Sequence, residues 1–389
     1  MPAAPARPLL PAAARLLPPG SDALARSWEQ RGRTAWPVHR RGVDFGFALP
    51  VHRTVHDRAT ALRLWRAGEP VFVPGALGDG PVLWRAAIAD SLAMFDRLRA
   101  GGDFLDELEA RLRGATAFEY TGSSEENDDP RDRERVWVDH TDLDGAIARD
   151  LWAALAWIAD DQSDASMRIR FSSGDGSPDG WQHASEAVSC AVDAFARSSF
   201  PECAAIDACE PLQDLLQHLI PRPFRLSERI VYNNAPGGGA MFHHDAEPGQ
   251  LGVCFSQLQG HTAWLALGKR RLARLLAANE GDRSRSADAR WLRRLDDTDD
   301  RWLWRRLNRD AAFAQRLAAA GALFVLEAGD TILLPSNGFD DVAWHSVFAL
   351  GATASLAHSY GVFPRAVAAE QPDRRAPARR AVARRRRSR

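Results

Sequence analysis

The sequence predicts an α+β protein: a helical front half, then a core that is an all-β barrel or sandwich broken by a helical insertion. Three observations carry that expectation. Stretches between residues 80 and 114 repeat apolar residues at helical spacing. From residue 229 onward, short β-rich runs are separated by Gly, Asn and Pro. Residues 269–321 interrupt those runs with helical spacing again. The 389 residues, 45% of them hydrophobic with 13 Trp and 17 Phe, can bury a core of that size.

Residues 1–40 are rich in Pro, Ala and Arg and read as a flexible segment, with residues 41–365 as the folded domain. "EPVFVPGAL" (69–77) has the apolar run and Pro-Gly stop of a buried strand and turn. "GPVLWRAAIADSLAMFDRLRA" and "DFLDELEARLRG" are amphipathic helices that end at glycine. "TGSSEENDDPRDRER" (121–135) reads as a polar excursion, too charged for a core element. "PLQDLLQHLI" is a helix stopped by "PRP". The β core, about 225–363, then runs through "RIVYNNA", "LGVCFSQLQG", "HTAWLAL", "GALFVLEA", "DTILLP", "AWHSVFAL" and "ATASLAHSYGVF". Within the insert, "KRRLARLLAANE", "DARWLRRLDDTDDRWLWRRLN" and "DAAFAQRLAAAG" read as helices, the last with Asp310 as its N-cap and Gly321 past its end.

Charge and cysteine content exclude several classes. No apolar run approaches the roughly 20 residues that span a bilayer, and prolines break the Leu/Ala stretches near the start, so a cytoplasmic protein is expected. Cys190, Cys203, Cys209 and Cys254 have no paired spacing, which argues against a zinc knuckle or a disulfide framework. Lys269 is the single lysine, so any role that needs a lysine has one candidate. The net charge of −1 conceals an asymmetry: residues 374–389 hold nine arginines and no acid, leaving −10 on the rest. Residues 366–389 therefore read as a disordered basic tail, either solubilising or able to bind RNA or another polyanion through phosphate contacts.

"MFHHDAEPGQ" (241–250) poses the functional question. On a strand, His243 and Asp245 share one side and His244 faces the other. Two histidines and one carboxylate on one face, with open positions beside them, make a site suited to non-haem Fe(II). His345, in "GDTILLPSNGFDDVAWHSV", is the favoured second histidine, and His358 in "SLAHSYG" the weaker alternative. His140 and Asp142 repeat the spacing in "WVDHTDLDG", but in acidic surroundings that read as a solvated loop. "APGGG" (235–239) lacks the Gly-Lys-Ser/Thr of a phosphate loop and reads as a tight backbone path.

"NNAPGGGAMFHHD", "QLQGHTAWLAL", "GDTILLP" and "WHSV", in this order, resemble the core strands of the JmjC/cupin-like Fe(II) and 2-oxoglutarate-dependent oxygenases. The resemblance covers about residues 60–363 and implies a double-stranded β-helix, a jelly-roll core, with iron held by His243, Asp245 and His345. It also implies a departure. The family's lysine or arginine for the cosubstrate carboxylate is replaced by Thr262, two residues past Gly260, and Ala240 stands where a Thr or Ser is common. Tyr232, Asn233 and Thr262 would line the cosubstrate pocket, with Arg229 as the carboxylate partner.

The implied activity is hydroxylation, or demethylation through hydroxylation, of a protein, peptide or small molecule. Two other readings are a cupin-like binding module whose basic tail recruits a polyanion, and a metal enzyme that uses oxygen without a keto acid. Fold alone does not choose a substrate.

Overall fold

The computed structural model describes residues 37–40, 43–48, 57–115, 117–124, 131–159, 164–174 and 185–365. The chain begins with the hairpin β1 (Pro37–Arg40) and β2 (Val43–Ala48), then α1 (Arg58–Arg66), β3 (Val71–Val73), α2 (Gly80–Leu83), α3 (Arg85–Arg99) and α4 (Phe104–Leu112). Four strands follow, β4 (Phe118–Ser124), β5 (Asp132–Thr141), β6 (Ile147–Trp157) and β7 (Met167–Ser173), then α5 (Glu186–Ser199), α6 (Ala204–Asp207) and α7 (Glu210–Leu219). The C-terminal half holds β8 (Phe224–Asn234), β9 (Gly252–Gln259) and β10 (His261–Gly268). The insert comes next, α8 (Lys269–Asn279), α9 (Ala287–Leu295), α10 (Arg301–Arg309) and α11 (Ala311–Ala319), and then β11 (Leu323–Leu326), β12 (Thr331–Pro335), β13 (Ala343–Leu350) and β14 (Ser355–Pro364).

Strand order identifies the core. One sheet runs β3-β12-β9-β14-β8-β7-β6-β5-β4, and a second runs β11-β10-β13. The segment from Pro236 to His243 continues the second sheet along β13, through Ala349 N–H to Gly238 O (2.9 Å) and Val347 N–H to Ala240 O (3.0 Å). Four strands (β12, β9, β14, β8) thus face four (β11, β10, β13 and this segment), which is the jelly roll, or double-stranded β-helix.

Period-two alternation sorts the side chains into layers. Phe72, Val253, Phe255, Trp264, Ala266, Ile332, Leu334 and Val347 fill the space between the sheets. On the back of the large sheet, Val231, Cys254, Leu333, Leu356 and Tyr360 pack under the N-terminal helices. On the back of the small sheet, Ala263, Leu265, Leu267, Trp344 and Phe348 pack under the insert.

The helices expected before residue 120 and over 211–220 form, the latter as Glu210–Leu219, and Asp310 caps α11 by accepting from Phe313 N–H at 3.0 Å. The front half is less helical than the sequence suggests, because β4–β7 extend the large sheet by four antiparallel strands. Residues 121–135, expected as a polar excursion, contribute to the hairpin of β4 and β5, with 125–130 outside the described residues. His140 likewise sits in β5 rather than a loop, its ring 4.8 Å from Phe118. The long helix expected over 288–308 breaks at Asp296–Asp300 into α9 and α10, where Asp300 caps α10 by accepting from Leu303 N–H. Residues 37–40, expected in the flexible segment, pair as β1 with β2; residues 1–36 and the basic tail lie outside the described residues.

Asp330, 1% exposed, ties the core to its entrance. Its Oδ1 accepts from Gly75 N–H (2.7 Å) in the turn after β3, and its Oδ2 from Glu327 N–H (2.9 Å) before β12. Asp330→Ala strands two buried donors, and urea denaturation should show a loss of about 3 kcal/mol. Asp330→Asn, which keeps one acceptor, should lose about half as much.

Candidate metal centre

His243 and His345 are joined through their backbones before their side chains meet. His243 N–H donates to His345 O (2.9 Å) and His345 N–H to His243 O (2.8 Å), a reciprocal antiparallel bridge. Such a pair projects both side chains to the same side. The rings lie 4.3 Å apart between centroids. Asp245 faces both: its Oδ1 is 3.2 Å from His243 Nε2 and its Oδ2 is 3.4 Å from His345 Nε2. One donor atom from each residue falls within 4.8 Å of the others.

The approach to this cluster depends on glycine. A Cβ at Gly238 would sit 2.1 Å from Asp164 Oδ1, and one at Gly239 would sit 2.2 Å from Val347 O at a φ of +147°. Only glycine lets the chain press this closely against β13. The insert holds the segment from its other side, with Asn308 Oδ1 accepting from Phe242 N–H at 2.8 Å and the Phe242 ring buried among the insert's apolar side chains.

The donor chemistry fits a divalent cation. His243 Nδ1–H donates to Met241 O at 2.7 Å, which leaves the Nε2 lone pair toward Asp245. His345, 3% exposed, stacks on Trp264 at 5.3 Å. Burial, and then the neighbouring His243, push the His345 pKa down to about 3, so it is neutral and able to ligate at neutral pH. Burial acts to lower the His243 pKa as well, but contact with Asp245 outweighs it and the pKa is raised. Burial disfavours the Asp245 carboxylate, yet the two imidazoles hold its pKa below the ordinary range. Side-chain exposures of 40% for His243 and 33% for Asp245 leave one flank open to a ligand.

His244 points away, its ring 5.2 Å from Trp344, as alternation requires. His358 is on the other face of the large sheet, where Nδ1 lies 3.2 Å from Cys203 Sγ and Nε2 is 3.5 Å from Glu202 Oε1. It neither joins the cluster nor faces the cosubstrate end.

The pocket-lining residues expected from sequence divide sharply. Tyr232 faces the interior, 5.8 Å from Phe255, and burial, with Asp245 second, pushes its pKa up to about 12. Asn233, the next residue, necessarily faces the helices: it accepts from an Arg99 N–H and donates to Ser355 O. Arg229 is on that same outer face, paired with Asp193 (2.6 Å) and Asp207 (3.0 Å) and lying over Tyr360, so it cannot reach a cosubstrate. Thr262 does face inward, but its one proton is already committed: its hydroxyl donates to Gln257 Oε1 (2.8 Å) and accepts from Trp264 Nε1–H (3.0 Å), leaving no donor for a carboxylate. Lys269 is buried beneath the insert with Asp296 and Phe339 O.

Arg168 on β7 was not anticipated. Its register partner is Tyr232, whose pKa its charge pulls down against burial, and it also bears on His243. The signal was present in "MRIRF", where Met167, Ile169 and Phe171 alternate with Arg168 and Arg170, a half-buried strand with arginine on one face.

No protein-family model matches the chain, and no curated protein matches its sequence. Among solved structures it is similar to the ribosomal oxygenase YcfD of Escherichia coli, at 16% identity over 52% of this chain and 32% of that one, with a TM-score of 0.24. This chain therefore spans about a third of that protein's length. HygX of Streptomyces hygroscopicus, solved with nickel and 2-oxoglutarate, is 12% identical over 78% of this chain and 86% of that one, with a TM-score of 0.29. A 2OG-Fe(II) oxygenase family oxidoreductase of Burkholderia pseudomallei is 11% identical over 82% and 96%, with a TM-score of 0.32. Likenesses this weak carry no weight for activity, and the jelly roll stands on its strand order.

Two outcomes test the geometry. Co(II) titration of the metal-free protein should saturate at one equivalent, fail in His243→Ala and His345→Ala, and survive in His244→Ala. The second concerns His358. Burial opposes its cation, but Cys203 and Glu202 outweigh burial and raise its pKa to about 10. Its contribution to stability is therefore complete below the ordinary histidine value of about 6.5 and is lost as pH rises through 10. Urea midpoints should fall across that window, and the fall should flatten in His358→Gln.

Proposed function

We propose that the protein is an Fe(II)- and 2-oxoglutarate-dependent oxygenase that hydroxylates a C–H bond, or demethylates through such a hydroxylation. The convergence of His243, Asp245 and His345 at an open edge of the jelly roll carries this reading. Bound iron would supply oxygen activation coupled to oxidative decarboxylation of the keto acid to succinate.

The chain's own residues would do the rest. His243, Asp245 and His345 hold the metal, and the Trp264 stack and the Met241 carbonyl fix the two rings. Arg168 with Tyr232 takes the place expected of Arg229 and Thr262, offering guanidinium and phenol donors to a cosubstrate carboxylate. Phe255, Trp264, Ile332 and Leu334 keep water from the interior. The acceptor substrate is a protein, peptide or small molecule, and four free cysteines support a reducing, cytoplasmic setting.

Anaerobic Fe(II) with 2-oxoglutarate should give a weak visible charge-transfer band, and aerobic protein should form succinate slowly without any acceptor. His243→Ala should abolish both. Arg168→Ala should keep iron and weaken the keto acid by roughly tenfold or more. Iron binding without a band would remove 2-oxoglutarate from the scheme and favour a metal enzyme or binding module.

A further inference from the structure

Strands β5–β7 lie outside the jelly roll, yet the face they share with Tyr232 leads into it. Tryptophan and arginine alternate along that face. The Arg135 guanidinium of β5 lies 5.8 Å from the Trp137 ring centre and 4.6 Å from that of Trp152 on β6, and the Arg170 guanidinium of β7 is 5.7 Å from Trp152. Register places Ala154 between the two arginines, paired with Arg135 on one side and Arg170 on the other. Both guanidiniums therefore lean over a small side chain toward the same indole. At its inner end the strip leads toward the cluster: Arg168, two residues from Arg170 on the same face of β7, pairs in register with Tyr232, which faces the interior.

Among the described residues, two of the strip's three arginines, Arg135 and Arg168, lack a close carboxylate. Among the described residues the only carboxylate near Arg135 is that of Asp132, at 3.9 Å, the limit of an ion pair. Arg168, one row inward, has no carboxylate partner among the described residues. The Nε atoms of Arg135 and Arg170 are buried and have no hydrogen-bond partner among the described residues. Like charge from Arg170 adds to the burial that already disfavours the Arg135 cation. A merely structural ladder would have its guanidiniums neutralised, because unmatched buried donors are costly. Glu228 holds Arg170, whereas stacking holds the Arg135 guanidinium flat and leaves it able to make the two-pronged contact that carboxylate and phosphate accept. A side-chain exposure of 22% keeps Arg135 reachable.

We propose that this face, centred on Arg135 and Trp152, binds a carboxylate or phosphate oxyanion of the acceptor substrate and so delivers its C–H bond to the metal cluster. The delivery rests on the oxygenase reading; the oxyanion site does not.

Calorimetric titration of the full, metal-free chain with inorganic phosphate and, separately, with N-acetylaspartate tests it. One saturable site is expected above the diffuse background of the basic tail, and the tighter probe identifies the oxyanion. Arg135→Gln should weaken that site about tenfold or more, Arg135→Lys should fall between, and His243→Ala should leave it unchanged. Circular dichroism confirms folding, and Trp137→Leu, on the half-buried edge of the strip, gives a second variant expected to weaken binding. No saturable site in the wild type, or folded Arg135→Gln and Trp137→Leu both within twofold of it, overturns the proposal. A missing iron and keto acid charge-transfer band beside an intact oxyanion site would instead overturn the oxygenase reading and leave the site standing.

Discussion

The reciprocal backbone bridge between His243 and His345 is the constraint on which the site depends. It joins residues that are distant in sequence and fixes the side from which both imidazoles emerge, before any metal arrives. Much of the local structure serves it. Gly238 and Gly239 let the chain lie against β13, Asp164 accepts from Gly239 N–H, and Trp264 supports the His345 ring from below. A metal entering such a cluster would meet donors that are already oriented, so little conformational entropy remains to be lost on binding.

Electrostatics divides the roles of the three groups. Burial keeps His345 neutral, whereas the more exposed His243 shares its environment with an anionic Asp245. A cluster in which one imidazole resists protonation and the carboxylate resists neutralisation is prepared for a cation at neutral pH. The wall opposite is the large sheet, where Tyr232 and Arg168 stand on neighbouring strands. Apart from the Thr262–Gln257 pair, the side chains packed between the sheets are apolar.

The β core, the insert's helices and the meeting of His243 and Asp245 with His345 were legible because each rests on short-range pattern. Gly, Pro and Asn punctuate the strands, Asp310 caps α11, and His243 and Asp245 have the right spacing. Strand β6 was not legible: "LWAALAW" is rich in alanine, which has little strand preference, and only its neighbours β5 and β7 make it one. The pocket wall was half legible. Alternation alone forbids Tyr232 and Asn233 from sharing a face, and Val231 on the helical side settles which one turns inward. Parity likewise sends Arg229 outward. That Arg168 takes the inward place depends on a nonlocal pairing of β7 with β8, which no local pattern reveals.

The insert's hold on Phe242 has a consequence for how the molecule opens. The segment carrying His243 is bonded to β13 on one edge, while its other edge is met by the Asn308 side chain and its Phe242 ring is buried in the insert's core. Phe242 therefore belongs to an apolar core that the helices share with the back of the small sheet. Fluctuations that loosen the insert would also loosen the strand that carries His243, which makes the helices the latch of the site rather than a decoration on its rim.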